Sequence, residues 1–212
     1  MKKFIALIVL LSFLSVGSAK KLGLKFDTQG KLVGPDDYLV HQALIDDEDG
    51  YKNDAMWRFK EAAEYGNKHG QYYAGLLYLQ KDDYINGYAW LKLAGDQFMN
   101  NANLLPGVTH ELNKRQQVSQ ADEALNVLKQ TINFESTIAK RINWFKRIKF
   151  AGSHIGGYIP IFWETRLFDG FSFNGPRIKG WQLRKEINTY LFEYRYQKGD
   201  VRLKEIQLAE NM

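Results

Sequence analysis

The chain has 212 residues and a net charge of +5, from 29 Lys+Arg against 24 Asp+Glu, enough for one compact domain or a short repeat array with an added module. Cysteine is absent, which excludes disulfide frameworks and thiolate zinc sites and leaves packing as the source of stability. The charge is divided: Leu22–Asn133 carries 11 Lys+Arg against 16 Asp+Glu and Phe134–Met212 carries 14 against 8, so an acidic front and a basic back are expected to attract each other within one molecule.

Met1, Lys2 and Lys3 make a basic start, followed by the apolar run from Phe4 to Val16 and the small residues Gly17, Ser18 and Ala19. The run is shorter than the roughly 20 residues of a membrane span and is broken by Ser12 and Ser15, so residues 1–19 read as a signal peptide cleaved after Ala19. The expected location is periplasmic or secreted. Residues 20–35 hold Gly23, Gly30 and Gly34 with a weak alternation at Leu22, Leu24 and Phe26, which predicts an extended arm or an edge strand.

From Asp36 to Asn133 the pattern is helix after helix. Helices are predicted over 37–45, 54–65, 69–79 and 84–98, then a short one from Thr109, then 119–132. The last opens on a candidate capping box, Ser119 with Asp122, and shows an apolar stripe at Ala121, Ala124, Leu125, Leu128 and Ile132. Residues 134–150 form a basic connecting helix in which Lys140, Arg141, Lys146, Arg147 and Lys149 surround Ile142, Trp144, Phe145 and Ile148. Docking of Ile138, Ile142 and Phe145 on the last repeat helix is the favoured reading; weak contact with an anionic membrane surface is the other. Residues 151–212 are rich in glycine and aromatics, with strand-like runs at 158–163 and 171–173. Tyr190, Phe192, Tyr194 and Tyr196 alternate within 187–196, and a turn at Lys198-Gly199-Asp200 leads to 201–206, which predicts a β-hairpin. The fold class is therefore mainly α, an α/α helical-repeat solenoid with a small β-containing C-terminal module capping its end.

The helices repeat one another. Met56–Glu64 aligns with Tyr88–Asp96 at a shift of 32 residues, the length of a helix-turn-helix unit. Close helix crossings need small side chains, and Ala62, Ala63, Ala74, Gly75, Ala94 and Gly95 are the candidates. The run Ala62-Ala63-Glu64-Tyr65-Gly66-Asn67, followed by Gln71, Gly75, Leu76 and Tyr78 and then by Tyr88-Ala89-Trp90 and Ala94, resembles the Sel-one-like repeat, a relative of the tetratricopeptide repeat. Gly70 stands where that pattern usually has alanine, and Ala74 where it usually has leucine. The resemblance covers 36–133 and implies a curved helical array that binds proteins or peptides, used in exported bacterial members as an adaptor.

Residues that carry chemistry are scarce. His41, His69, His110 and His154 are isolated from one another and fit no metal-ligand spacing. The acidic run Asp46-Asp47-Glu48-Asp49-Gly50 lacks a calcium-loop spacing, since Trp57 stands where the twelfth-position glutamate would fall. No catalytic residue, cofactor or metal is expected. The partner is expected to be a protein or peptide bound through Trp57, Tyr72, Tyr73 and Trp90. The alternative is a cell-wall glycan stacked on Trp163, Trp181, Tyr190 and Tyr194, rings that serve equally well as the core of a small sheet. Export argues against nucleic acid.

Overall fold

A computed structural model describes residues 24–27, 31–148, 156–159, 161–162, 164–166 and 177–197. The expected signal peptide, Trp163, the run 171–173, the turn at 198–200 and the strand after it lie outside these residues. The arm forms a two-residue antiparallel ladder, β1 (Lys25–Phe26) with β2 (Leu32–Val33). Six helices then follow in close succession: α1 (Pro35–Glu48), α2 (Lys52–Glu64), α3 (Lys68–Leu79), α4 (Tyr84–Ala94), α5 (Asn101–Lys114) and α6 (Val118–Thr131). Helix α7 (Phe134–Arg147) leads to a second ladder, β3 (Glu164–Arg166) antiparallel to β4 (Arg177–Lys179), and to α8 (Gly180–Gln197). The protein is a mainly α, helical-repeat fold with a very small β element in its C-terminal part.

Local chemistry accounts for the helix starts. Pro35 opens α1, where its missing N–H would have had no helical partner. Asn67 and Asp83 cap α3 and α4 by accepting from Gly70 N at 3.1 Å and Asn86 N at 3.0 Å. A capping box does occur, but at Asn133 and Ser136, where it starts α7. Ser119 instead lies inside α6, which begins at Val118 without a side-chain cap. Helix α4 stops at Ala94 rather than running to Phe98, because Gly95 takes φ +116° and turns the chain out of the helix. The short helix expected from Thr109 begins two turns earlier, at Asn101. Leu105, Val108 and Leu112 are buried at helical spacing there, while Pro106 sits on the exposed side.

The repeats pack through the expected small residues except Gly95, which has no neighbour closer than 3.9 Å to where a Cβ would stand and serves to end α4. Ala62, Ala63, Ala74 and Ala94 are fully buried. Gly70 and Gly75 mark the closest approaches: a Cβ on Gly75 would meet Leu91 Cγ at 2.8 Å, and one on Gly70 would meet Phe59 O at 2.7 Å and both Ala62 Cβ and Ala63 N at 2.9 Å. The departure from the usual alanine at position 70 thus has a steric reason. Because two of the three atoms around Gly70 are backbone, Gly70→Ala is expected to destabilise the fold by about 1–3 kcal/mol. Urea unfolding reads this as a lower midpoint at unchanged slope, and an unchanged midpoint would refute the crossing.

The C-terminal part caps the other end of the array from the one the chain order suggests. Leu32 and Leu39, with Ala62 and Tyr65, form one core with Trp144, Ile159, Ile178, Leu183 and Ile187. Helices α7 and α8 therefore cover the first helical pair, α1–α2, rather than the last. Residues 187–196 are the second half of α8 and not a strand. Leu183 and Ile187, fully buried one turn apart, with Tyr190 and Leu191 packed behind them, follow the helical period. The alternation of aromatics beyond Tyr190 is a local coincidence within that helix. The strand-like run at 158–163 is likewise displaced, since the paired residues begin at Glu164.

This docking brings the two charge classes together. Lys140 pairs with Glu61 at 2.9 Å and with Glu64; burial acts to lower its pKa, yet the two carboxylates hold it above its ordinary value. Arg141 donates from Nε to Tyr65 O at 2.9 Å and from Nη1 to Tyr190 O at 2.8 Å, and its Nη2 lies 3.5 Å from Asp36 Oδ2. Burial raises the pKa of Asp36, opposed by the Arg141 charge and by Asn67, whose Nδ2 donates to it at 3.2 Å. The basic helix thus turns Lys140 and Arg141 inward onto α1 and α2, with Lys146 and Arg147 exposed beyond them.

Candidate functional site

A cleft of about 540 Å3 runs between α4 and α5. One wall is Tyr88 and Lys92, one turn apart on α4, with Asp96 and Gln97 from the turn that follows the helix. The other is the stripe Ala102, Leu105, Pro106, Thr109, His110 and Asn113 of α5. Asn101 fixes the junction between α4 and α5. Its side chain is fully buried, and Nδ2 donates to Leu91 O and Gly95 O, both at 2.8 Å, tying the last carbonyls of α4 to the first turn of α5. Helix α6 packs on α4 more than on its own partner α5, so the third pair is splayed and the α4–α5 face stays open.

The polar groups of the cleft are held in defined states. Lys92 Nζ pairs with Asp96 Oδ2 at 2.8 Å, and that hydrogen bond raises the Lys92 pKa. Burial, and then the Asp122 carboxylate on α6, raise the pKa of the Tyr88 hydroxyl. Asn113 Nδ2 donates to Thr109 O at 3.0 Å. The cleft therefore offers hydroxyl, amide, ammonium and carboxylate groups beside the apolar side chains of Ala102, Leu105 and Pro106. These groups suit the backbone and polar side chains of an extended segment. Among the described residues, no group of three His, Cys, Asp or Glu side chains could hold a metal ion.

The four aromatics expected to bind a partner separate. Trp57 is 58% exposed and lies near exposed Ile45 and Tyr51 at the α1–α2 corner, where Arg58 pairs with Asp46 and Lys52 with Asp47. The acidic run of that corner is thus neutralised in part by its own neighbours. Tyr72 and Trp90 are buried core residues, and Tyr73 is half-buried, stacked on Phe59 at 5.1 Å; Tyr72 and Trp90 are unavailable to a partner in this fold. Of the aromatics assigned to glycan stacking, Trp181 is 52% exposed. Tyr190 is engaged on both sides, edge-on to Trp144 at 5.3 Å and beneath the Arg141 guanidinium at 4.5 Å. Tyr190 and Tyr194 both belong to α8 rather than to a strand, and Trp163 lies outside the described residues. Sequence reasoning missed the cleft residues Tyr88, Lys92, Asp96, His110 and Asn113; the available signal was the i, i+4 spacing of Tyr88 with Lys92 on one helix and the i, i+3 spacing of His110 with Asn113 on the next.

Stacked antiparallel helix pairs closed by a terminal cap place the chain among helical-repeat proteins by architecture. Comparison with protein-family models, with curated proteins and with solved structures finds no match. No helix among the described residues is long and apolar enough to cross a membrane.

Proposed function

We propose that this chain is an exported, non-catalytic adaptor of the Sel-one-like repeat type, released to the periplasm or the exterior, that binds a protein or peptide segment in the α4–α5 cleft. The observation that carries the reading is the cleft itself, open to solvent, with α4 and the turn after it on one side, α5 on the other, and polar side chains beside apolar Ala102, Leu105 and Pro106. Binding in such a cleft uses the groups that the splayed third pair leaves uncovered, without any change in the repeats.

A photo-activated crosslinking residue placed at Gln97 or Asn113, on the cleft walls, is expected to yield one common adduct in intact cells. The same probe at Val127, exposed on the outer face of α6, is expected to yield none. Adducts from Trp57 in the absence of adducts from the cleft would move the binding surface to the α1–α2 corner. The glycan reading survives through exposed Trp181, and loss of retention on purified cell-wall sacculi in Trp181→Ala would favour it over the adaptor.

A further inference from the structure

Four of the large hydrophobic side chains exposed among the described residues gather at one tip of the C-terminal part: Tyr158 and Ile161, each 47% exposed, Trp181, 52% exposed, and Phe162, fully exposed. Two contacts place them together. Gly157 N donates to Ile148 O at 2.9 Å, setting Tyr158 at the carboxyl end of α7, and Arg184 Nη2 donates to Ile159 O at 2.9 Å, setting the same stretch against the start of α8. The register of β3 with β4 pairs Glu164 with Lys179, so Phe162 and Trp181 each lie two residues beyond the same end of that ladder.

The rim of this tip is cationic. Lys146 and Arg147 are exposed at the end of α7, Lys179 is exposed at the near end of β4, and Arg184 and Lys185 follow Trp181 by three and four residues, on its side of α8. The carboxylates nearby are already engaged: Glu164 pairs with Arg177 at 3.6 Å, and Glu186 accepts from Leu32 N at 3.4 Å. We propose that this tip docks on the surface of an anionic lipid bilayer, with Phe162 and Ile161 entering the acyl boundary, Trp181 and Tyr158 at headgroup depth, and the lysines and arginines on lipid phosphates. Charge and exposure favour anionic lipid over protein: a fully exposed phenylalanine needs a matching pocket in a protein partner, whereas a bilayer interface deforms around it, and the cations beside it match lipid phosphates. The inference is independent of the α4–α5 cleft. It also differs from a membrane contact along the basic helix as a whole, since Lys140 and Arg141 face the repeats.

The test is co-sedimentation with vesicles of phosphatidylglycerol and phosphatidylcholine against vesicles of phosphatidylcholine alone. It is run on the chain beginning at Lys20, which keeps every described residue and removes the apolar run 4–16. Partition is expected on the anionic vesicles only. Phe162→Ser is expected to weaken it about tenfold or more, from the loss of one buried aromatic side chain, while Phe162→Leu keeps most of it. Replacing Lys146, Lys179 and Lys185 together by glutamine is expected to weaken it about fivefold per residue. Because these side chains are exposed, the variants are expected to unfold at the same urea concentration as the parent chain. Equal binding to neutral vesicles, or anionic binding untouched by Phe162→Ser, overturns the proposal. So does concentration-dependent self-association without vesicles that Phe162→Ser abolishes, which would make the tip a contact between copies.

Discussion

Replacing Arg141 by methionine is expected to lower the unfolding free energy by about 3–5 kcal/mol, the usual result of removing one partner from a buried ion pair. The guanidinium is 7% exposed and joins three segments: the Asp36 carboxylate of α1, the Tyr65 carbonyl at the end of α2 and the Tyr190 carbonyl of α8. Methionine keeps much of the volume but takes the guanidinium donor from two carbonyls and the compensating charge from the buried Asp36 carboxylate, which keeps the hydrogen bond from Asn67. Asp36→Asn combined with Arg141→Met is expected to lose less than the sum of the two single changes, because the orphaned charge is gone. The pH dependence follows from the raised pKa of Asp36. The folded protein binds this proton more readily than the unfolded chain, so the contribution is fully present below the unfolded pKa and is lost as pH rises through the folded one. Without Arg141 the folded pKa rises further, and the deficit of Arg141→Met against the parent chain is expected to shrink on acidification from neutral pH. A deficit that grows on acidification would show that Asp36 is not the buried partner. Urea titrations at several pH values read both outcomes.

Phe59→Ala is expected to destabilise by about 3–5 kcal/mol through the cavity it leaves. Phe59 is 1% exposed, stacked on Tyr73, and shares its core with Met56, Leu77 and Trp90 from α2, α3 and α4. Its backbone carbonyl is the group that Gly70 approaches, so the helices around it are held at a fixed distance and cannot close the gap. Phe59→Leu is expected to lose less than about 1.5 kcal/mol, since most of the volume is retained. Equal losses for the two variants would show that the site collapses and that the crossing is looser than the Gly70 contact implies.

The helices from α1 to α7 were legible, apart from the first two turns of α5 and the end of α4, because apolar side chains recur at helical spacing and small residues recur at a fixed offset. The alignment of the two repeats also held the reason why the four expected partner-binding aromatics do not share a surface. It sets Trp57 against Ala89 and Arg58 against Trp90, a displacement of one residue, or roughly 100° around a helix. One tryptophan is exposed and the other 5% exposed. The choice of Trp57 and Trp90 as a pair weighed residue type and overlooked phase. The same weighting misread α8, where aromatic residues of high strand propensity alternate beyond Tyr190, although Leu183 and Ile187 keep the helical period. The cleft escaped notice because its polar side chains look like ordinary solvated surface one at a time. Asn101 escaped because nothing local distinguishes a buried asparagine from its exposed neighbour Asn100. The charge division foretold that the basic part meets the acidic repeats, but which pair of helices receives it depends on the direction the chain takes after Asn133.

Lys140 meets Glu64 across 76 residues, and Arg141 meets Asp36 across 105. An open solenoid can begin folding at any unit and spread outward; a chain whose last third seals its first pair has a closing step that waits for distant segments. A chain emerging amino end first therefore carries Leu39, Ala62 and Tyr65 uncovered until Leu183 and Ile187 arrive. During that interval the earliest repeat is both the first to be made and the last to be completed, and its bare face is the surface most in need of shelter from aggregation.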